Sequence, residues 1–350
     1  MSSHSDQFPA DLPQALTGAA AWYGPAMAAR SDWIEPLAAA ELAELAAASQ
    51  PWLAPGLALS GLTRAGFALP SLAPRLARIG AELQHGRGFV LLRGLPVAGW
   101  GRRRSAVAFY GLGAHLGHAR PQNAQGELLG QVMDLGLAST DPRVRIYQTR
   151  ERQTFHTDSA DIVGLLCLQT ARSGGASALV SSETLYNQMR ARRPDLAALL
   201  FEPIATDRRG EVPDGAKPYF EIPVFNWHGG ALSTIYQRQY IDSAQRFEQA
   251  PRLTPRHIEA LDLFDALADD PGLHFTMSLQ IGDIQFVHNH SLLHDRTAFI
   301  DWPDAERRRH LLRLWLAPAD ARSLPAVYAQ RYGSVVAGER GGVGRADAGA

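Results

Sequence analysis

The sequence predicts a mainly β fold, an antiparallel sheet barrel with helices packed on its outside. From about residue 128 onward, short apolar runs of strand length follow one another, separated by turn residues. These runs do not alternate strictly with helical segments, and no repeat of fixed period is visible. A barrel is therefore favoured over a doubly wound parallel sheet. With 350 residues, the chain is long enough to bury a large core.

The first third of the chain predicts helices and one buried strand. Ser31 and Ser71 are placed as helix caps, each ahead of apolar residues at helical spacing. The expected elements are a helix from Ser31 to Pro51, a helix from Ser71 to about Gly86, a buried strand over 88–94 and a helix over 102–117.

The remainder predicts many strands and two helical regions. His228-Gly229-Gly230 is typical of a hairpin turn, and Pro255 after Thr254 is typical of a helix start. Helical segments are expected over 183–201 and 255–268, and the tail 337–350 is expected to fray. The expected strands are 131–135, 144–149, 162–170, 178–182, 203–207, 219–227, 232–237, 273–279, 283–288 and 310–317.

Composition excludes several classes of protein. The chain is 46% hydrophobic and 20% charged, as in globular proteins, and its net charge of −1 gives no general attraction to nucleic acid or anionic membranes. No apolar run reaches the ~18 residues of a membrane span, and the first residues lack the pattern of a signal peptide. The single Cys167 lies in an apolar run and is expected to be a buried thiol. We therefore expect a cytoplasmic protein.

One short motif carries the strongest chemical signal. His156 and Asp158 are two residues apart, so on an extended strand their side chains point to one side while Thr157 points away. An imidazole and a carboxylate that converge supply two of the three ligands of a facial Fe(II) triad. The pattern is not specific by itself, because His4-Ser5-Asp6 repeats it in a polar segment with no strand pattern.

A third ligand could come from the histidines after the strand 283–288. His288, His290 and His294 lie at or just beyond its end. Chemistry alone does not choose among the three.

Arg313 interrupts the apolar run of the last strand, so its guanidinium projects from a buried element and requires a partner. Its fork of donors suits a carboxylate held through two hydrogen bonds. Arg309 is four residues earlier and is expected on the same face.

Taken together, these pieces resemble the TauD/TfdA family of Fe(II)- and 2-oxoglutarate-dependent dioxygenases. The resemblance covers roughly residues 85–320. It is carried by His156-Thr157-Asp158, Gly174-Gly175-Ala176-Ser177, Asn289-x4-His294-x-Arg296-Thr297-x-Phe299 and Arg309-x3-Arg313, in that order.

The resemblance implies a double-stranded β-helix, or jelly roll, with Fe(II) on His156, Asp158 and His294. His288 and His290 then become structural or supporting residues. For 2-oxoglutarate the resemblance implies Arg313, with Arg309 as its companion. It also implies Ser177, although the family commonly has Thr at that position.

The implied activity is hydroxylation or desaturation of a small organic substrate, using O2 and releasing succinate and CO2. A carboxylate at Asp158 favours these outcomes over halogenation, since related halogenases carry a small residue there. Nucleic acid and membranes are not expected as partners, and homo-oligomerisation is left open. Phe155, Tyr236 and Arg238 are the candidate substrate residues, with a surface ion pair as the alternative for Arg238.

The resemblance also divides the chain. Residues 1–84 are expected to form a helical extension packed on the core, residues 85–320 the dioxygenase domain, and residues 321–350 a tail. An insert at about 203–250 is expected to cover the active site.

Two other functions use the same residues. A zinc hydrolase or cupin-type metalloenzyme could employ the same His, Asp and His, but zinc prefers tetrahedral sites rich in His or Cys, and Arg313 would have no task. A non-catalytic binding barrel would leave the ordered motifs unexplained.

Overall fold

The computed structural model describes residues 11–137 and 144–343. It confirms a mainly β fold with flanking helices, and His4-Ser5-Asp6 lies outside the described residues. In the described part of the chain, no helix combines the length and apolar character that crossing a membrane requires.

The strands are numbered in chain order. They are β1 Ile34–Pro36, β2 Phe89–Arg93, β3 His118–Ala119, β4 Leu129–Val132, β5 Gln153–His156, β6 Ile162–Gln169, β7 Ser173–Gly174, β8 Ser177–Ser181, β9 Ile204–Asp207, β10 Tyr219–Ile222, β11 Phe225–His228, β12 Ala231–Thr234, β13 His274–Met277, β14 Ile284–His288, β15 Leu292–Arg296, β16 Phe299–Ile300 and β17 His310–Ala317.

The α-helices are numbered in the same way. They are α1 Gly24–Ala28, α2 Ala39–Ser49, α3 Ala73–His85, α4 Val97–Leu116, α5 Ser182–Arg192, α6 Pro194–Leu199, α7 Arg238–Ala244, α8 Pro255–Ala268 and α9 Ala329–Tyr332. Short 3-10 helices span Gln50–Trp52, Leu59–Gly61, Ile146–Gln148, Ala305–Arg307 and Ala326–Tyr328.

Two sheets form the barrel. The larger has the order β1-β2-β14-β6-β17-β3, with β4 also paired to β17, and the smaller has the order β13-β8-β15-β5. All pairings are antiparallel except β1 with β2. Strands far apart in sequence thus become neighbours, as a double-stranded β-helix requires.

Alternation along the strands separates an outer layer from the interior. On β17, Leu312, Leu314 and Leu316 pack in one apolar cluster with α3 and α4, on the outside of the larger sheet. On the smaller sheet, Phe155 and Leu293 pack with α5, α6 and α8. The residues that alternate with them, including His156, His294 and Arg313, point to the opposite side, into the interior of the barrel.

The N-terminal region differs from the predicted helix at 31–50. Ile34–Pro36 instead forms a parallel edge strand against Leu91–Arg93, and the helix starts at Ala39. Over so few residues, the apolar pattern of a strand and that of a helix look the same, so the sequence could not distinguish the two elements here. Glu44 of this helix accepts hydrogen bonds from the backbone N–H of Ser71 and Leu72, which replaces the expected Ser71 side-chain cap.

Two other expectations were wrong. The predicted strand at 144–149 contains the 3-10 helix Ile146–Gln148. The described part of the tail, residues 337–343, is packed on the fold and not frayed. Arg340 is fully buried there, and its guanidinium forms an ion pair with Asp161. Residues 344–350 lie outside the described part.

Candidate metal centre

The two candidate histidines meet across one pair of strands. His294 on β15 lies directly opposite His156 on β5, and their ring centroids are 4.1 Å apart. Asp158 follows two residues after the end of β5. One ligand atom from each of His156, Asp158 and His294 lies within 4.8 Å of the others. Two imidazoles and a carboxylate at this separation are a donor set that suits Fe(II).

The backbone of Asp158 is fixed by a buried asparagine. Asn289 accepts a hydrogen bond from the Asp158 backbone N–H (2.8 Å) and donates from Nδ2 to the carbonyls of Asp158 (2.6 Å) and Ala160 (2.8 Å). Thr157 points elsewhere, and its Oγ1 accepts from the Tyr236 backbone N–H at 2.9 Å. The turn that presents Asp158 is therefore held from both sides.

The Asp158 carboxylate is held in its ionised form. Its Oδ2 accepts hydrogen bonds from Trp315 Nε1 at 2.8 Å and Arg313 Nη1 at 3.2 Å. Burial raises the pKa of Asp158, but the electrostatic influence of Arg313, His294 and His156 and the Trp315 hydrogen bond outweigh it and lower the pKa to about 2. An ionised carboxylate is the form that binds a metal.

Both imidazoles are neutral at neutral pH. The His156 Nδ1–H donates to the Thr154 carbonyl at 2.8 Å, so Nε2 is the acceptor nitrogen and accepts a hydrogen bond from Gln153 Nε2 at 2.8 Å. Burial lowers the pKa of His156, and burial together with His156 lowers the pKa of His294 to about 3. His294 Nε2 faces Asp158 Oδ2 at 3.8 Å.

The other two histidines have partners elsewhere. The His288 Nδ1 contacts Ser291 Oγ at 2.9 Å, and the His290 Nε2 contacts Asp161 Oδ1 at 2.7 Å. Neither belongs to the group of potential metal ligands found within the described residues.

The two candidate arginines occupy different surroundings. Arg313 donates to Gln122 Oε1 at 2.7 Å as well as to Asp158, so it is already engaged at the centre. Arg309 is buried against the Phe299 ring and beside Gly175, and its Nη1 has no hydrogen-bond partner. Burial lowers the pKa of Arg309 to about 10. Ser177 Oγ is buried and lies 3.4 Å from Gln285 Oε1.

A small cavity of about 60 Å³ adjoins the candidate ligands. Its lining includes His156, Asp158, Tyr236, Arg313 and Trp315.

Phe155 and Arg238 do not reach this cavity. Phe155 alternates with His156 on β5 and therefore packs into the outer apolar cluster. Arg238 forms ion pairs with Asp242, Asp262 and Asp265, consistent with the ion-pair alternative.

Sequence reasoning missed three arginines in the cavity lining. Arg145, Arg208 and Arg331 come from a loop, from the end of β9 and from α9. They come from three separate segments of the chain and share no motif or spacing, so no pattern in the sequence indicated that they would meet. The Arg208-Arg209 pair inside the expected insert was the available hint.

Comparison with known proteins identifies the family. The model described as "Taurine catabolism dioxygenase TauD, TfdA family" matches residues 53–315, more than half of the chain. This chain belongs to that family. Its members are Fe(II)- and 2-oxoglutarate-dependent dioxygenases that use O2, so the expected reaction class is confirmed, and neither the zinc hydrolase nor the binding barrel is favoured.

Named relatives of this TauD/TfdA enzyme include two that cover most of the chain. The FR-33289 synthase of Streptomyces rubellomurinus is 36% identical over 251 residues, which cover 70% of this chain and 73% of the relative. The taurine hydroxylase-like protein SAT17 of Stachybotrys chartarum is 30% identical over 305 residues, covering 84% and 77%.

Solved structures share the fold. Asparagine oxygenase in complex with Fe(II), 3-hydroxyasparagine and succinate superposes with a TM-score of 0.64 at 17% identity, over 81% of this chain and 93% of that one. The non-heme iron oxygenase OrfP in complex with Fe and alpha-ketoglutaric acid superposes with a TM-score of 0.59 at 16% identity, over 81% of this chain and 93% of that one. These likenesses confirm the double-stranded β-helix.

Proposed function

We propose that this dioxygenase hydroxylates a small organic substrate at a metal centre formed by His156, Asp158 and His294. The convergence of these three side chains within 4.8 Å carries the proposal. When bound, Fe(II) with 2-oxoglutarate and O2 supplies the oxidising chemistry, with release of succinate and CO2. The chain supplies the geometry and excludes water from the reacting atoms. A cytoplasmic location is part of this proposal.

Two of the proposed ligands, His156 and Asp158, are oriented by their neighbours. The Thr154 carbonyl fixes the His156 tautomer, so Nε2 is the nitrogen available to the metal. That nitrogen accepts a hydrogen bond from the Gln153 amide, and metal binding would replace this contact. Trp315 orients the Asp158 carboxylate through its indole N–H. The centre therefore needs little rearrangement to bind a divalent cation.

We propose that Arg309 and Arg313 have different roles in binding 2-oxoglutarate. The sequence favoured Arg313 for the distal carboxylate, with Arg309 as companion. The buried, unpartnered Nη1 of Arg309 supports giving that carboxylate to Arg309, because such a donor gains most from an anionic acceptor. Arg313 already bonds Asp158 and would keep the metal end of the site charged and oriented. Ser177, two residues after Gly175, remains a proposed partner of the same carboxylate.

Oxygen uptake and succinate release test this function. The purified enzyme is stripped with a chelator and then given 2-oxoglutarate and ascorbate with Fe(II) or with Zn(II). Ascorbate supplies the two electrons per turnover that the substrate would otherwise supply. We expect succinate and matching O2 consumption with Fe(II), none with Zn(II), and none from the Asp158→Ala variant. Succinate formation with Zn(II), or at full rate by Asp158→Ala, would contradict the proposal.

A further inference from the structure

We infer that the primary substrate carries a dianionic group of the phosphonate or phosphate-monoester class. We infer that Arg145, Arg208 and Arg331 bind that group beside the metal centre. The inference rests on the proposed function, because it names the substrate class of the same site.

The three guanidiniums form one cluster at the cavity. All three side chains line the space that His156 and Asp158 also line. The guanidinium carbons of Arg208 and Arg331 lie 5.5 Å and 6.0 Å from the centre of the Phe220 ring, so this ring supports both. An anionic group in the cavity would meet these cations while the rest of its molecule faced the metal ligands.

The cluster has more positive than negative charge. Among the described residues, Glu211 is the carboxylate that pairs with it, and a single oxygen, Oε2, contacts both Arg145 and Arg331. Arg208 instead donates to two uncharged acceptors, the backbone carbonyls of Lys217 and Gln330. Three guanidiniums thus share one carboxylate.

The other acids at the cavity have their own cations. Asp207 accepts from Arg246 Nη1 at 2.7 Å and from Ser243 Oγ at 2.6 Å. Asp158 accepts from Arg313 and is a proposed metal ligand. Neither is available to neutralise the cluster, so two positive charges remain in excess.

These charges are poorly hydrated. Arg208 is 5% exposed, and burial together with the charge of Arg331 lowers the pKa of Arg208 to about 10. Burial also lowers the pKa of Arg331. Burying unpaired cations destabilises a protein, and a folded chain keeps them where a ligand compensates them. A phosphonate or phosphate oxygen set matches the guanidinium fork and supplies two negative charges.

The co-substrate carboxylate is a poor occupant of this cluster. Arg309, which we assign to 2-oxoglutarate, lies at Gly175 and Phe299 and is not among the residues that line this cavity. Arg208 and Arg331 also border a surface cleft of about 1050 Å³, in which four basic side chains outnumber two acidic ones. The other basic residues are Arg120 and Lys217, and the acidic residues are Glu221 and Glu339. An anion arriving from solvent would therefore meet positive charge along its path.

Methylphosphonate is the probe for this site. The enzyme is loaded anaerobically with Fe(II) and saturating 2-oxoglutarate, so the co-substrate pocket is occupied, and its thermal unfolding is followed. We expect saturating methylphosphonate to raise Tm by at least about 2 °C, while uncharged acetamide does not. The shift should be lost in Arg208→Gln and Arg331→Gln and partly retained in Arg208→Lys. It should be unchanged in Arg252→Gln, whose exposed guanidinium lies outside the cavity.

Turnover gives a second readout. Succinate release is screened across phosphonates and phosphate monoesters, each beside its uncharged counterpart. For an active compound, Arg208→Gln should raise its KM roughly 10- to 100-fold and leave the KM for 2-oxoglutarate unchanged.

The outcomes separate the two proposals. If the wild-type enzyme forms no visible charge-transfer complex with Fe(II) and 2-oxoglutarate, the proposed function fails. If that complex forms but methylphosphonate gives no Tm shift, the substrate-class inference alone is overturned. The inference also fails if uncharged compounds are the better substrates.

Discussion

At the scale of single residues, the site depends on side chains that hold other side chains. Asn289 fixes the backbone around Asp158, and Trp315 and Arg313 fix its carboxylate. Thr154 sets the tautomer of His156 through its carbonyl. Because these partners restrict where the proposed ligands point, their loss should weaken metal binding even though none of them is a ligand.

Asn289→Ala tests this dependence. We expect its dissociation constant for Fe(II) to rise about 10- to 100-fold, because Asp158 loses its backbone support. Anaerobic equilibrium titration measures the constant. Asn187→Ala is the matched control, because Asn187 makes the same kind of paired contact with the Leu16 backbone elsewhere. Equal losses of iron affinity in both variants would contradict a specific role for Asn289.

Arg309→Gln tests the assignment of the co-substrate. The variant loses a charge-assisted hydrogen bond worth about 1.5–3 kcal/mol, so we expect the KM for 2-oxoglutarate to rise roughly 10- to 100-fold. Steady-state succinate release measures it. Arg308→Gln, one residue earlier and exposed, should leave this KM unchanged. An unchanged KM in Arg309→Gln would return the distal carboxylate to Arg313.

At the scale of elements, one face of β17 packs in the hydrophobic core and the other face lines the candidate site. Leu314 is fully buried in the outer apolar cluster, whereas Trp315 bonds Asp158 in the interior. Leu314→Ala should lower the free energy of unfolding by about 2–5 kcal/mol and leave iron affinity intact. Trp315→Phe should keep most of the stability and weaken iron binding about 10-fold. Urea denaturation and iron titration of both variants check this division, and parallel effects in the two variants would refute it.

The C-terminal segment is an element of the fold beyond the residues that match the family model. Arg340 is fully buried, and its guanidinium contacts Asp161, which also accepts from His290. Burial raises the pKa of Asp161, but His290 and Arg340 outweigh it and lower the pKa. Since the folded pKa lies below the unfolded one, this carboxylate stabilises the fold at neutral pH, and that contribution is lost in acid.

Arg340→Met should therefore destabilise the protein in a pH-dependent way. At pH 7 we expect the free energy of unfolding to fall by about 3–5 kcal/mol, because the variant leaves a buried carboxylate without its guanidinium. The difference from wild type should shrink as the pH falls through the lowered pKa of Asp161 in the folded protein, because a protonated Asp161 no longer pairs with Arg340. Urea denaturation across this range measures it. A difference that stays constant with pH would exclude the ion pair as its cause.

At the scale of the whole molecule, the sequence predicts the features that a regular apolar pattern or a short motif encodes. The strand pattern gave the barrel, and ordered motifs identified the family. The hairpin at Gly229-Gly230 and the capped helix after Thr254 were also predicted, since local chemistry determines both. The resemblance implied that His156 and His294 share one site, but their direct opposition on paired strands was seen only in the structure.

The remaining features depend on tertiary contacts that local patterns do not encode. Ile34 and Glu35 form a strand because Leu91 and Leu92 offer a free edge, not because of their own spacing. Arg340 is buried because it forms an ion pair with Asp161, a carboxylate in the core. The substrate-side arginines meet only once three separate segments are folded together. Arg309 and Arg313 looked equivalent in sequence, and their different partners distinguish them.

The most direct test of the central claim is the stoichiometry of Fe(II) binding in the presence of 2-oxoglutarate, measured anaerobically for the wild type and single-alanine variants. We predict one iron per chain for the wild type and for His288→Ala, whose imidazole contacts Ser291 instead. We predict loss of that iron in His156→Ala, Asp158→Ala and His294→Ala. One tightly bound iron in a folded His294→Ala variant, or none in the wild type, would contradict the account.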